Sequence, residues 1–342
     1  MIAKNAALAL VVSGLCVPLA AQWLNYPAPG IPRLPDGKPN LAAPAPRTAD
    51  GKPDLSGVWN GPGPGSYDRN IARDLSPGDI QPWAEALYRQ RVRDMGKDAP
   101  RATCLPDPFA YYHMVDVARI VEAPGVIAIL YQGTTNSVHR TIFTDGRGLP
   151  PDPNPTWMGY SVGHWEGDTL VVDTAGFNDR SWLDIEGHPH TEALHITERF
   201  RRRDFGHMDL VMTIDDPKAF TRPFSLQIPK TQAPDTDLLE SVCENDTSVP
   251  HMVGAENVTK LAPNILSRLA GTYEFAPGRE AAITIEADLL FLREGANPLK
   301  LPLVAKSETV FVSRTNGDWI EFTRDGFTYH TGDQVRKAVR KK

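Results

Sequence analysis

Strand-length segments separated by short turns run through most of this chain, and they constrain its fold more than any other feature. Hairpin turns are predicted by segments such as EAPG at 122–125 and EGDT at 166–169. Because no helical segment lies between the strands to form the crossovers of a parallel sheet, we expect an antiparallel β-sheet closed into a barrel. The predicted strands lie near residues 117–122, 126–132, 138–144, 161–166, 169–174, 194–202, 208–214 and 223–229.

Helix-forming sequence is scarce, and only one segment predicts a helix clearly. It runs roughly from Pro82 to Met95, with Trp83 and Leu87 one turn apart and Gly96 to end it. The fold class is therefore mainly β, with one short helix.

Two similar strand openings indicate two β domains, the second one smaller. SGVW, with Gly57 and Trp59, opens the first domain, and LAGTYEF at 269–275 opens the second. Strands of the second domain are predicted near 281–286, 289–293, 309–313, 319–323 and 327–330. The predicted organisation is a signal peptide at 1–21, a proline-rich arm at 22–53, a main barrel domain at 54–249, a linker at 250–264, a C-terminal β domain at 265–332 and a basic tail at 333–342.

The first 21 residues predict export, because one lysine, an apolar core and small residues follow one another as in a secretory signal peptide. No later run has the length of a membrane helix, so we expect a soluble protein in the periplasm or outside the cell. After cleavage the cysteines Cys104 and Cys243 remain. In an oxidising compartment such a pair predicts a disulfide in preference to a reactive site.

Composition and motifs exclude several function classes. A formal net charge of -6 argues against a nucleic-acid partner, so a small-molecule ligand or substrate is expected instead. The chain lacks the Gly-x-Ser-x-Gly, Walker, Gly-x-Gly-x-x-Gly and His-Glu-x-x-His signatures. Any chemistry must therefore come from the polar residues between about 135 and 225.

This polar region contains GYSVGHWEGDTLVVDTAGFNDRSWLDIEGHPHTEALHITERF, residues 159–200. It resembles a large uncharacterised family of exported proteins common in soil bacteria, which implies no particular activity. The Gly57-x-Trp59 opening is similar to the first strand of lipocalin-like barrels. LAGTYEF resembles the small β domains that follow some penicillin-recognising hydrolases, but the chain has no Ser-x-x-Lys motif.

Histidines in the segment GHPHTEALH predict either a metal site or a polar loop. His188 and His190 alternate in an extended segment, so both imidazoles lie on one side, as in metal-binding barrels of the cupin type. The glutamate that the cupin pattern places three or four residues later is missing. A divalent metal is thus possible and no other cofactor is evident; the alternative is loop histidines bonded to backbone and carboxylates. His195 would be a third ligand, and either His164 or His139 a fourth from a neighbouring strand.

Strand parity separates the polar residues of LHITERF. Glu198 alternates with apolar residues on one face, whereas His195 and Arg199 lie on the other. A carboxylate in an apolar row must pair with a cation, here Arg140 or Arg147, or have a raised pKa that suits a general base. If the basic face instead lines a polar lumen, His195 and Arg199 become the candidates.

A pocket is expected at one barrel mouth, formed by segments 139–147, 176–192 and 195–199. The loop GFNDRSWLD at 176–184 combines donors and acceptors with a tryptophan, which suits a ring-shaped or sugar-like substrate, although Asn and Asp are also common turn residues. The candidate substrate-binding residues are His139, Arg140, Arg147, His164, Asn178, Asp179, Arg180, Trp182, Asp184 and Arg199.

Histidines and carboxylates without an evident nucleophile suit proton transfer, as in a lyase, isomerase or hydratase. The base would be Glu198 or His195, the acid His190 or His188, and an arginine would stabilise an oxyanion. Two alternatives stay open: a non-catalytic, lipocalin-like periplasmic binding protein, and a metal-dependent hydrolase or oxygenase using His188, His190 and His195. The proline-rich arm could also dock on a partner.

Overall fold

The computed structural model describes residues 27–64, 67–76, 78–94, 96–133, 137–241, 243, 259–295, 300–313, 318–331 and 334–341. The predicted signal peptide at 1–21 and most of the predicted linker at 250–264 lie outside the described residues. The fold is mainly β and contains two closed barrels, of nine and eight strands.

The first barrel contains all eight strands that were predicted between residues 117 and 229, together with the SGVW strand. It closes where β9 pairs with β1. Its strands are β1 (Gly57–Asn60), β2 (Val117–Ala123), β3 (Val126–Tyr131), β4 (Val138–Phe143), β5 (Tyr160–Glu166), β6 (Thr169–Ala175), β7 (His195–Arg202), β8 (His207–Asp215) and β9 (Phe224–Gln232).

The expectation of a purely antiparallel barrel is wrong at one place, because β4 and β5 pair in parallel. Strand directions that alternate around a ring cannot close when the ring has nine members, so one neighbouring pair must be parallel. The parallel pair also needs a connection of about a dozen residues or more that returns to the starting end of the barrel. Residues 144–159 provide this connection without a helix.

Alternate residues of each strand fill the lumen of the first barrel. On β8, for example, the fully buried side chains are Met208, Leu210, Met212 and Ile214. A carrier of the lipocalin type would need open space among these packed side chains. The inward-facing residues of the described strands are therefore used mainly for the core.

The Gly57-x-Trp59 opening has a structural explanation. Gly57 has a φ of 132°, and a Cβ there would lie 2.5 Å from the Nε2 of Gln232. Trp59 is buried, donates from its indole to the Leu55 carbonyl at 2.9 Å, and lies under the Arg202 guanidinium at 4.9 Å. Glycine at the first position and tryptophan at the third are thus both required by contacts at the seam where the barrel closes.

Helix α1 (Pro82–Arg93) is confirmed close to its predicted bounds. A short 3-10 helix (Pro100–Thr103) and helix α2 (Phe109–Met114) were not predicted. Every residue of α2 is buried, so its sequence FAYYHM lacks the amphipathic period by which helices are recognised. Within the described residues no helix has both the length and the hydrophobicity to cross a membrane.

The disulfide between Cys104 and Cys243 is confirmed, with a Cα–Cα separation of 5.5 Å. It joins the segment between the 3-10 helix and α2 to the segment that follows β9. The bond therefore holds the buried helix and the last strand of the first barrel in one covalent loop.

The described part of the proline-rich arm lies on the first barrel. Its two DGKP copies form matching turns in which an arginine, Arg33 or Arg47, binds the carbonyl of its own turn glycine. Arg33 also forms a bidentate pair with Asp235 at 2.6 and 3.0 Å, and Arg47 forms one with Asp168 at 2.7 and 3.0 Å. The arm, for which the sequence predicts a possible partner, thus binds the protein's own barrel in its described part.

In the second barrel, residues 334–340 form a strand, where the sequence predicts a basic tail at 333–342. The last strand pairs with both neighbours and closes the barrel. A short helix, α3 (Pro263–Leu269), precedes the barrel. The strands are β10 (Gly271–Ala276), β11 (Arg279–Glu286), β12 (Leu289–Glu294), β13 (Leu301–Ala305), β14 (Val310–Ser313), β15 (Trp319–Phe322), β16 (Gly326–Thr331) and β17 (Gln334–Arg340).

Candidate active site

Glu198 lies in the lumen of the first barrel and forms a buried ion pair with Arg140 of β4. Arg140 also donates to the hydroxyls of Ser161 at 2.9 Å and Thr174 at 2.8 Å. Burial alone would raise the pKa of Glu198, but the Arg140 charge and the hydrogen bond with His113 lower it to about 2. Of the two alternatives that the sequence left open, the structure shows the pair with Arg140. Glu198 therefore lacks the raised pKa on which its predicted role as a general base depends.

His113 completes this lumen network, and sequence reasoning missed it. Its Nε2 lies 3.2 Å from Glu198 Oε1 and 2.9 Å from the Tyr131 hydroxyl. Burial lowers the pKa of His113 to about 4, so the ring is neutral at neutral pH. Lys230 donates to the backbone carbonyl of the same residue. The network fixes α2 inside the barrel end, which is a structural role.

The candidates from the opposite strand faces do not join Glu198. His195 lies 3.5 Å from Asp173 on the outside of the barrel. Strand alternation sends Arg140 inwards and its neighbour His139 outwards, where it is exposed. His139, His195 and Arg199 therefore do not converge on Glu198 in a pocket of segments 139–147, 176–192 and 195–199. The other outward pairs are Arg199 with Glu166 at 2.6 Å, His164 with Glu166 at 3.3 Å and Arg147 with Asp145 at 2.6 Å.

The loop between β6 and β7 folds into a compact unit against α1, and Asp184 is its central residue. The Asp184 carboxylate accepts the backbone amides of Ile71 at 2.9 Å, Gly187 at 2.8 Å and His188 at 3.0 Å. It also contacts Nδ1 of His188, whose ring stacks on Tyr88 with centroids 3.8 Å apart. Asp184 thus holds backbone in place, and no substrate-binding role follows from these contacts.

Trp182 is a packing residue of the same loop. It is buried against Ala99 and Ala102, and the Arg91 guanidinium lies 4.6 Å from its ring. These contacts account for Trp182 as a packing residue, and its predicted role in substrate binding stays a prediction.

The turn before Trp182 is the exposed part of the loop. Asn178 accepts the Arg180 amide at 3.1 Å, which is turn chemistry. Asp179 and Arg180 are exposed, and the Arg180 guanidinium lies 5.3 Å from the ring of Trp157.

Ser181 and His190 form the arrangement with the clearest chemical potential. The Ser181 hydroxyl lies 2.6 Å from His190 Nε2, and His190 Nδ1 lies 3.0 Å from the Thr191 carbonyl oxygen. A carbonyl oxygen only accepts, so Nδ1 carries the proton and Nε2 of the neutral ring must accept from Ser181. Burial lowers the pKa of His190, which keeps the ring neutral. A nucleophile, a base and a group that orients the base are thus in contact.

Asp216 anchors the orienting group. Its carboxylate accepts the Thr191 amide at 2.6 Å and the Thr191 hydroxyl at 3.0 Å. The carbonyl that fixes the His190 tautomer is thereby held by the turn after β8. Sequence reasoning missed Ser181, because its partner follows nine residues later across a loop.

The metal hypothesis finds no ligand set. His190 uses both ring nitrogens for Ser181 and Thr191, and His195 lies outside the barrel beside Asp173. In the part of the chain that the structure describes, no group of three or more His, Cys, Asp or Glu residues is placed to hold a metal ion.

No protein-family model matches the chain, and no curated protein matches it. The resemblance to exported proteins of soil bacteria therefore stays a prediction.

Proposed function

We propose that this protein is an exported enzyme that acts on a small molecule by nucleophilic and acid–base chemistry at Ser181 and His190. The single observation that supports it is the 2.6 Å hydrogen bond from the Ser181 hydroxyl to His190 Nε2. The sequence alone favours proton-transfer reactions such as those of lyases and isomerases, because it shows no evident nucleophile. Ser181 supplies one, so hydrolysis of an ester or a similar acyl bond becomes the preferred reaction.

In the proposed reaction, Ser181 Oγ attacks the carbonyl carbon of the substrate while its proton passes to His190 Nε2. The protonated ring then gives this proton to the leaving alcohol as the acyl–oxygen bond breaks. Water, deprotonated by the same nitrogen, releases the acyl group and restores the serine. Throughout, the Thr191 carbonyl holds Nδ1–H and keeps Nε2 turned towards Ser181.

The burial of Ser181 and His190 limits the size of the substrate. Ser181 is 5% exposed and His190 4% exposed, so a bulky polymer has no route to the hydroxyl. The exposed residues Asp179 and Arg180 directly precede Ser181 in the chain. The proposal therefore specifies a small substrate.

Export is part of the proposal and is supported by the disulfide between Cys104 and Cys243, a bond that persists in oxidising compartments. The periplasm or the extracellular space would be the site of the reaction.

The test does not need the substrate. Purified protein is incubated with an alkyl fluorophosphonate, which phosphonylates serines that an adjacent base activates, and the labelled peptide is identified by mass spectrometry. We expect labelling at Ser181, none in Ser181→Ala, and a rate lower by about 100-fold in His190→Gln, since a general base contributes 10²–10⁴.

Ser225→Ala is the matched control, because the Ser225 hydroxyl is also hydrogen-bonded, to Thr213 at 2.8 Å, but bonds to no histidine among the described residues. Circular dichroism confirms that each variant is folded. If folded wild-type protein is not labelled at Ser181 while a known serine hydrolase in the same tube is, the proposal is wrong. It is equally wrong if His190→Gln is labelled at the wild-type rate.

A further inference from the structure

The second barrel has a cavity of about 690 Å³ at one of its ends. Helix α3 borders it on one side, and the chain between β15 and β16 borders it on another. Tyr273 and Phe322 form an apolar floor, and both are almost fully buried in the core of this barrel. The volume falls within the range of about 300–1,000 Å³ that is usual for small-molecule sites.

Three arginines line this cavity, namely Arg268, Arg324 and Arg340, against a single carboxylate, Glu308. None of the three forms an ion pair with any carboxylate in the described residues, whereas Arg336 on the same barrel pairs with Glu294 at 2.7 Å. The excess of unneutralised guanidinium groups gives the cavity a positive potential.

The positions of the guanidinium groups differ in how firmly they are fixed. Arg340 donates to the backbone carbonyls of Arg268 and Ala270, so its head is held at the end of α3. The side chains of Arg268 and Arg324 are exposed and have no such hydrogen bond among the described residues, so both can turn towards a ligand. Guanidinium groups bind carboxylates well because two parallel N–H donors match two oxygens.

We infer that the end of the second barrel is a binding site for a small anionic amphiphile, a monocarboxylate with an apolar body. The carboxylate binds Arg268 and Arg324, and the apolar part packs on Tyr273 and Phe322. The interior of the eight-stranded barrel is filled by its own side chains, so the ligand binds at the barrel end and not in the lumen. The inference is independent of the proposed hydrolase site, which lies on the first barrel.

Competition with a fluorescent probe tests this inference. 1-Anilinonaphthalene-8-sulfonate, itself a small anionic amphiphile, is titrated into the full protein, and decanoate or decanol is then used to displace it. We expect decanoate to displace the probe at a concentration about tenfold or more below that of decanol, because hydrogen bonds to charged groups contribute enough for this factor.

The double variant Arg268→Ala with Arg324→Ala should lose this preference for decanoate, and neither side chain donates a hydrogen bond that the barrel needs. Arg293→Ala is the matched control, since Arg293 is an exposed arginine of β12 that does not line the cavity. The inference is wrong if the probe does not bind, if decanol displaces it as well as decanoate does, or if the double variant keeps the wild-type preference.

Discussion

Replacing Glu198 by glutamine should destabilise the first barrel by about 3–5 kcal/mol, the usual cost of removing one partner from a buried ion pair. Both charged groups are almost completely buried, and the Nη1 atom of Arg140 has no hydrogen-bond partner among the described residues. Without the carboxylate, the guanidinium charge stays in the lumen uncompensated. The hydroxyls of Ser161 and Thr174 are neutral and cannot offset it.

The lowered pKa of Glu198 gives a second way to obtain the size of this destabilisation. Folding lowers this pKa from 4.5 to about 2. At 1.36 kcal/mol for each pKa unit, the ionised carboxylate contributes about 3 kcal/mol to stability at neutral pH. Because the folded-state pKa is the lower one, this contribution is complete above pH 4.5 and is lost as the pH falls towards 2. The wild-type barrel should therefore weaken in that interval, and the glutamine variant should lack this component.

Urea denaturation followed by tryptophan fluorescence measures the effect. Trp319 is the only tryptophan after residue 182, so a Trp319→Phe background removes the signal of the second barrel. The control is Glu166→Gln, which breaks the exposed pair with Arg199 and should cost less than about 1 kcal/mol. If Glu198→Gln costs no more than Glu166→Gln, the assignment of the lumen pair as a stabilising element is wrong.

A double variant separates the loss of a charge partner from the loss of shape. Arg140→Met with Glu198→Met removes both charges, and buried pairs replaced in this way are often neutral in stability. Ser161 and Thr174 then still bond to each other, with their hydroxyls 3.0 Å apart. The double variant should be more stable than Glu198→Gln. If it is less stable, the uncompensated charge is not the cause of the destabilisation.

Three further outcomes are expected. The double variant Cys104→Ser with Cys243→Ser should be less stable by about 4–5 kcal/mol, because the disulfide that it removes closes a loop of 139 residues. The urea midpoint of this variant should match that of the reduced wild type and lie below that of the oxidised wild type. The rate of fluorophosphonate labelling should stay constant from pH 8 to 6.5 and fall only below pH 6.5, since burial lowers the pKa of His190 and its neutral form is the base. A labelling rate that falls to half its maximum above pH 6.5 would contradict this. Tyr88→Phe should lower the free energy of unfolding by about 1–3 kcal/mol, because the Glu186 carboxylate loses the Tyr88 hydroxyl that donates to it at 2.9 Å. A thermal unfolding midpoint equal to that of the wild type would argue against this.

The fold could be predicted from the sequence where strands alternate and turns are short. β7 and β8 expose one face to water and pack the other, so their period of two is visible. β17 escaped prediction because only Ala338 of its seven residues is buried, and the strand therefore resembles a charged tail. The parallel pair of β4 and β5 escaped too, since it follows from the number of strands in the ring and not from any local pattern.

The candidate site could be predicted only in part, because it depends on which side chains meet across a loop. Parity correctly separated Glu198 from His195, and the pairing of Glu198 with Arg140 was one of two stated alternatives. Parity carries no information on a loop, so the partners of His188 and His190 were not foreseeable. Ser181 is nine residues from His190, and only the turn that Asp184 stabilises brings the two together.

The closing strand β17 limits how far the chain can be shortened. It forms the ladder to both β16 and β10, so a chain that ends before Gln334 would leave two unpaired strand edges. Such edges pair readily with other chains, and a shortened protein should form aggregates where the full chain does not. Three of the seven residues of β17 are basic, which would make the segment an easy target for trypsin-like proteases if it were unpaired. Pairing with β16 and β10 protects these residues from cleavage. Resistance to limited trypsin digestion therefore measures whether the second barrel has closed.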